Sequence, residues 1–303
     1  MSRTILVAAL LFFAAVPLMG QQDRDGPRSI PILVTAEWLA ERLDAPDLIV
    51  VNVGESREEY DQGHIPGASF VSASSLTAEM EGVPGMLPRA EMLVAVFAQA
   101  GLRNNVRVVL YGAPVSAARA WMALDYLGYG INVSVLDGGL AAWQAAGQPI
   151  STEPGGGISG TLSIAPQPER IVTADWLVEQ IMEPYTVIID ARPLNEYTGE
   201  VAGDGLLAGH VPNARHLPSE DLLASSDDGR LLPEEELRAL FEAAGAVDDK
   251  IVVVYGSTGA SASLAYYVSR LLGYETYIYD GSWYDWSARN LPTQTGEDAG
   301  ASR

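Results

Sequence analysis

The sequence predicts an α/β protein built from two tandem copies of one domain, each a mainly parallel sheet with helices on both faces. Three observations predict this. Apolar, β-branched runs such as Ile251–Tyr255 are unbroken, the pattern of strands buried on both faces in parallel sheets. Each run is followed by a segment of helical periodicity, and strands alternating with helices cover a parallel sheet on both sides. The same landmarks also occur twice, in one order.

The first copy spans 34–150. Thr35 stands as N-cap before Ala36-Glu37-Trp38-Leu39. Leu48–Val53 reads as a strand and Gly63-His64-Ile65-Pro66-Gly67-Ala68 as a turn-rich loop. A helix over Ala90–Gly101, a strand over Val106–Tyr111, a loop over Gly112–Ser116 and a helix over Ala117–Gly128 follow. Val133–Leu136 is a strand that runs into Asp137-Gly138-Gly139 and a short helix through Trp143. The second copy spans 171–292. Thr173 repeats the cap before Trp176, and Val187–Asp190 repeats the first strand. Gly209-His210-Val211-Pro212-Asn213-Ala214 repeats the loop, Tyr255-Gly256 echoes Tyr111-Gly112, and Asp280-Gly281-Ser282 echoes Asp137-Gly138-Gly139. The spacing widens before His210, which places an insertion at 197–208. Residues 151–170, rich in Gly, Ser and Pro, form the linker. A flexible lead is expected over 21–33 and a disordered tail over 293–303. The tryptophans at matching stations, Trp38 with Trp176 and Trp143 with Trp286, read with Trp283 as core.

Residues 1–20 combine a basic Arg3, an apolar run Ile5–Val16 and a small Gly20. That is the pattern of a cleaved secretory signal, and the run is short for a membrane span. The chain is therefore expected to be exported, periplasmic or secreted, without stable membrane insertion. The net charge of −21 opposes binding to nucleic acid. There are 0 cysteines, so no disulfide, thiolate nucleophile or Cys-bound metal is available. His210 and His216 do not share a helix face, and no phosphate-loop or dinucleotide fingerprint occurs. No metal and no cofactor is expected. His64 and His210, in matching loops, read as structural rings bonded to nearby backbone.

The candidate site lies where strand ends converge. After Ile251–Tyr255 the chain turns through Gly256-Ser257-Thr258-Gly259, with Ala260 and Ser261 following. A helix pattern begins at Ser261, carries Leu264, Val268 and Leu271 on one face, and ends at Gly273. A strand, a small-residue loop and a helix N-terminus together can hold an anion on backbone N–H groups. Asp190-Ala191-Arg192 and Asp280-Gly281-Ser282 also stand at strand ends. The candidate anion-binding residues are thus Asp190, Arg192, Gly256, Ser257, Thr258, Gly259, Ala260 and Ser261. For Arg192 the competing reading is an ion pair with Asp190, Glu196 or Glu200.

These motifs together resemble the tandem rhodanese sulfurtransferases, which include the thiosulfate and 3-mercaptopyruvate sulfurtransferases. The residues that carry the resemblance are Asp190-Ala191-Arg192, Glu196-Tyr197-Thr198-Gly199-Glu200, Gly209-His210-Val211-Pro212 and Asp280-Gly281-Ser282-Trp283-Tyr284-Asp285-Trp286. The resemblance implies two rhodanese-like domains, the first structural and the second holding the ancestral active site. It also implies a persulfide-forming cysteine at the start of the loop, where this chain has Gly256. Glycine offers no sulfur, and a serine hydroxyl does not carry a stable persulfide. The expectation is a sulfurtransferase-like protein inactive in sulfur transfer. It would bind a small oxyanion (sulfate, thiosulfate or phosphate) or a protein partner, without a catalytic residue. Transfer by a Cys-independent route and a purely structural module are the alternatives.

Overall fold

The computed structural model describes residues 28–156, 159–225 and 229–297. The leader at 1–20 and residues 21–27 lie outside the described residues. No helix among the described residues is long and apolar enough to cross a membrane.

The first domain comprises β1 (Leu33–Val34), α1 (Ala36–Ala40), β2 (Leu48–Gly54), α2 (Arg57–Gln62), β3 (Ser69–Ser72), a hairpin of β4 (Ala78–Met80) and β5 (Val83–Met86), α3 (Ala90–Gln99), β6 (Arg107–Gly112), α4 (Pro114–Tyr126), β7 (Val133–Leu136) and α5 (Gly139–Ala145). Its sheet runs β1-β7-β6-β2-β3 with every pair parallel. The second domain comprises α6 (Ala174–Gln180), β8 (Thr186–Asp190), α7 (Leu194–Thr198), β9 (Arg215–His216), α8 (Glu234–Ala243), β10 (Ile251–Tyr255), α9 (Gly259–Leu271), β11 (Glu275–Ile278) and α10 (Ser282–Ala288). Its sheet, β11-β10-β8-β9, is also parallel throughout. The central strands β6 and β10 are buried along most of their length, as their unbroken apolar runs require.

The repeat extends to individual hydrogen bonds. Thr35 and Thr173 each accept from the N–H of the tryptophan three residues on. Tyr60 stacks on His64 at 3.9 Å, and Tyr197 on His210 at 3.8 Å. Their hydroxyls donate to Ala68 O and Ala214 O. Tyr111 Oη accepts from Ile65 N (3.2 Å), and Tyr255 Oη from Val211 N (3.1 Å). The β6 and β10 tyrosines thus tie each histidine loop to the centre of its own sheet.

The domains join through α4 and α9, which pack together so that the inward faces of both sheets share one apolar core. The outward faces have separate cores, centred on Trp143 and on Trp283 with Trp286. Two carboxylates close the boundary from opposite sides. Asp137 Oδ1 accepts from Leu231 N of the second domain (3.0 Å), and Asp280 Oδ2 accepts from Leu87 N of the first (2.6 Å). Gly85 packs against Thr258, and Gly229 against Pro114. Each domain therefore lays a segment over the other's loop after the central strand. Arg119 strengthens one side. It is 2% exposed and reaches Asp280 Oδ1 (2.9 Å), Leu76 O (3.1 Å) and Gly85 O (3.0 Å).

Four expectations need correction. From Arg28 the lead is docked: its guanidinium donates to Gly130 O and Val133 O, and Ile30 is buried. The tail is ordered through 297, because Gln294 pairs with His210 as a strand would and Gly296 N reaches Thr198 O. Its remainder, 298–303, lies outside the described residues. The helices after the central strands start early, at Pro114 and Gly259 rather than 117 and 261. Pro114 suits the first helical position because its missing N–H would find no partner there. Trp38 and Trp176 are half-buried rather than core; the Arg42 guanidinium covers the Trp38 ring at 4.6 Å.

Removing one member of a buried ion pair strands the other, at a cost of about 3–5 kcal/mol. Arg119→Ala is expected to lower the unfolding free energy by about that amount in urea denaturation. A loss below about 1 kcal/mol would show that the Arg119–Asp280 contact does not hold the boundary.

Candidate functional site

β10 ends at Tyr255, and Gly256 follows as the first residue of the loop. The φ of Gly256 lies outside the left-handed region, so the backbone itself tolerates a side chain. A Cβ there would, however, come within 2.5 Å of Ser261 Oγ, so that hydroxyl would have to shift. That hydroxyl accepts from Thr258 N (3.1 Å) and donates to Thr258 O (2.8 Å), while Thr258 Oγ1 accepts from Ser261 N (3.3 Å). This is a capping box, and it explains why α9 begins at Gly259. Gly256 N donates to Ser282 Oγ (3.2 Å). The loop N–H groups of Gly256, Thr258 and Ser261 are thus engaged by the protein's own hydroxyls. Those of Ser257, Gly259 and Ala260 remain.

Ser282, in a strand-end segment expected to converge on the site but not among the candidate binding residues, contacts the loop directly. Its φ is +53°, where the first domain uses Gly139 at +51°. A side chain in the left-handed region costs of order 1 kcal/mol or more. The hydroxyl returns part of that by taking Gly256 N–H and donating to Tyr279 O (2.9 Å). The only sequence signal was the change from Gly139 to Ser282 between matching stations.

Asp280 crowds the N-terminus of α9. A Cβ on Gly259 would come within 2.0 Å of Asp280 Oδ1, so only glycine fits. The Asp280 carboxylate supplies there the negative charge that a helix N-terminus favours. It is paired in turn with Arg119.

Asp190 and Arg192 form a closed unit. They are 0% and 2% exposed, so the pair is buried rather than a surface contact. Arg192 Nε donates to Asp190 Oδ1 (3.0 Å), and Nη2 to Asp190 Oδ2 (2.6 Å) and Gly209 O (2.8 Å). Its guanidinium carbon lies 4.1 Å from the Trp283 ring centroid. Asp190 also takes the Tyr255 hydroxyl (2.5 Å), and burial pushes that phenol well above its ordinary range. What is left of Arg192 faces Glu196: Nη1 is 3.9 Å from Glu196 Oε2. Glu196 also accepts from Ser257 Oγ (3.1 Å). The structure therefore brings Asp190, Arg192, Glu196 and Ser257 together, and packs Thr258, Gly259 and Ser261 into the boundary and the cap. The first copy has no such unit, since Asn52 and Gly54 stand where Asp190 and Arg192 are.

Both loop histidines bond to backbone. His64 Nδ1 lies 2.8 Å from Tyr60 O and its Nε2 2.9 Å from Glu153 O; His210 Nδ1 lies 2.7 Å from Tyr197 O. His210 Nε2 is buried without a hydrogen-bond partner. Burial holds the His210 pKa below its ordinary value, against the pull of the Tyr197 carbonyl and Asp190. Arg192 and His216, the other charged or titratable neighbours, oppose its protonation as well. Among the described residues no cluster of His, Asp or Glu is arranged to hold a metal ion.

A depressed folded-state pKa means that the unfolded chain binds the proton first. The stability tied to neutral His210 is complete above the unfolded value of about 6.5 and is lost as pH falls through the folded one. Unfolding free energy measured against pH is expected to drop more steeply below pH ~6.5 for the native chain than for His210→Gln. Parallel curves would show that the ring does not remain neutral.

Comparison with known proteins now bears on these features. The family model described as "Rhodanese-like domain" matches twice, over 35–146 and 173–289. The chain is 36% identical over 282 residues to the "Probable 3-mercaptopyruvate sulfurtransferase" of Pseudomonas aeruginosa, covering 88% of this chain and 98% of that protein. It is similar to the crystal structure of SseA from Escherichia coli, described with the "Rhodanese" fold of 3-mercaptopyruvate sulfotransferases. There the TM-score is 0.72 at 32% identity, with 84% of this chain and 99% of the other covered. A third similar structure is the anaerobic ergothioneine biosynthesis enzyme from Chlorobium limicola, solved with trimethyl histidine. Its TM-score is 0.76 at 26% identity, over 88% of this chain and 70% of the other. Two domain matches, near-complete coverage of a relative and the paired parallel sheets agree: the chain belongs to the rhodanese family, as a tandem, sulfurtransferase-like member with glycine at the position of the persulfide-forming cysteine.

Proposed function

We propose that this chain is an exported rhodanese that does not transfer sulfur and uses its second-domain loop for binding. One observation carries the reading. The position after β10 that must present a thiolate is Gly256, and the chain has 0 cysteines from which a substitute could come. Sulfur relay needs a nucleophile that holds the transferred atom as a persulfide. The hydroxyls nearest Gly256, those of Ser261 and Ser282, are committed to backbone carbonyls. Each gives its proton to a carbonyl oxygen rather than to a carboxylate or imidazole. Export rests on the leader at 1–20 and places the protein in the periplasm or outside the cell.

Of the two ligand classes, the site's electrostatics favour a protein partner over a free oxyanion. Arg192 is neutralised by Asp190, Glu196 adds a further negative charge, and Asp280 already occupies the end of α9. Sulfate, thiosulfate or phosphate would find only the N–H groups of Ser257, Gly259 and Ala260, inside a negative field.

The test is thiocyanate formation from thiosulfate and cyanide, run beside sulfur release from 3-mercaptopyruvate. Both are expected to stay at the protein-free rate. Turnover clearly above that blank contradicts the reading. In parallel, the melting temperature is expected to be unchanged by millimolar sulfate at matched ionic strength. Saturation at 100-fold above Kd would add about 2.7 kcal/mol and would be seen at once.

A further inference from the structure

We infer that the C-terminal segment at 294–296 is an acid-released strap: protonation of His210 unfastens it from the second domain, while the matching strap on the first domain, at 151–153, stays closed. The inference goes beyond the binding reading above and does not depend on it.

Both straps are fastened in the same way. Ser151 pairs with His64, and Gln294 with His210, each through two backbone hydrogen bonds of 2.8 and 2.9 Å. Each histidine stacks on a tyrosine and sets Nδ1 against that tyrosine's carbonyl oxygen. In neutral His210 the nitrogen that faces the carbonyl carries the proton, so Nε2 is the bare one. The straps diverge two residues on. Glu153 O stands 2.9 Å from His64 Nε2. At the matching position the chain turns at Gly296, with φ +92°, and the Gly296 N–H goes to Thr198 O instead (2.9 Å). His210 Nε2 is left buried with no hydrogen-bond partner. That divergence sets the response to acid. A proton on His64 Nε2 meets the Glu153 carbonyl. A proton on His210 Nε2 is a donor buried without an acceptor, an arrangement that folded proteins avoid. The shared stacking and Nδ1 contact place the strap on the Nε2 side of both rings, so lifting the second strap gives that donor access to water.

The groups around the ring hold it neutral on balance. Asp190 favours protonation, but its oxygens already take Arg192 and the Tyr255 hydroxyl. Arg192 and His216 oppose it. Glu196 on α7 faces Arg192 and Ser257, while Arg215 on β9 and Glu297 on the strap are exposed. Opening the strap also reaches the candidate site. Gln294 O and the Thr295 methyl press on Gly209, where a Cβ would meet them at 2.1 and 3.0 Å, and Gly209 O accepts from Arg192 Nη2 (2.8 Å). Gly296 N fastens the end of α7, the helix that carries Glu196, to the same strap. Lifting it frees backbone on both sides of Arg192.

Amide hydrogen exchange, followed residue by residue by NMR on the full chain, tests the inference. After correction for the intrinsic rate, protection of the Gln294 and Gly296 N–H groups is expected to fall about tenfold between about pH 7.5 and about pH 5, because the lifted strap restores an ordinary histidine. The Ser151 N–H, bound to His64 O, is expected to keep its protection, as are the amides of β10. In His210→Gln the fall at Gln294 and Gly296 is expected to vanish. His210 is buried and its replacement can fail to fold, so the comparison of the two straps within the native chain stands on its own. Constant protection at Gln294, an equal fall at Ser151, or a parallel fall in β10 that marks global unfolding overturns the inference. So does a fall that persists in folded His210→Gln.

Discussion

The Asp280 carboxylate is the interaction on which both the fold and the site depend. It lies at the centre of the molecule, 2% exposed, and joins three things. It accepts the Leu87 N–H of the first domain, pairs with Arg119 on α4, and presses on Gly259 at the start of α9. A buried carboxylate is tolerated only when paired and hydrogen-bonded. Both partners come from the other domain, so separating the domains would expose an uncompensated charge. The same carboxylate stands at a helix N-terminus, where an anionic ligand would gain most. Holding the two domains together thus draws on the field that an oxyanion would need.

The rest of the second-domain loop follows the same pattern. Its backbone keeps a shape able to stabilise an anion, yet Ser261 and Ser282 take the N–H groups that would do so. Arg192, placed to attract an anion, is closed onto Asp190 and covered by Trp283. Each feature is locally stabilising: a capping box, a satisfied N–H, a buried ion pair under an aromatic ring. Together they leave the loop only the N–H groups of Ser257, Gly259 and Ala260 as donors, beside an accessible charge, on Glu196, that is negative. With glycine after β10 there is no reactive atom for such a cradle to serve. That arrangement is what supports the proposed binding role.

Much of this was legible in the sequence because it rests on local or periodic signals. Apolar runs gave the central strands, threonine caps gave the starts of α1 and α6, and the repeated Tyr, His and Asp stations gave two copies of one domain. The absence of cysteine needed only a count. The helix starts that moved did so for local reasons: Pro114 suits the first helical position, and the Thr258–Ser261 capping box starts α9 at Gly259. What stayed hidden depends on contacts between distant residues. Arg119 is an unremarked arginine in a helix until Asp280, far along the chain, is brought against it. The hairpin of β4 and β5 has no clear alternation, and its role over Thr258 exists only across the domain boundary. Whether Arg192 faced a ligand or Asp190 was open in sequence; in the fold it is buried and paired with Asp190. The docking of Arg28 and of Gln294 likewise depends on partners supplied by other parts of the fold.

The central claim is that no atom of this protein accepts sulfur. Intact-protein mass spectrometry after incubation with thiosulfate tests it most directly, because it detects the carried atom without relying on turnover. The account predicts an unchanged mass. A gain of one sulfur atom, localised by peptide mapping to the loop at 256–261, would contradict it.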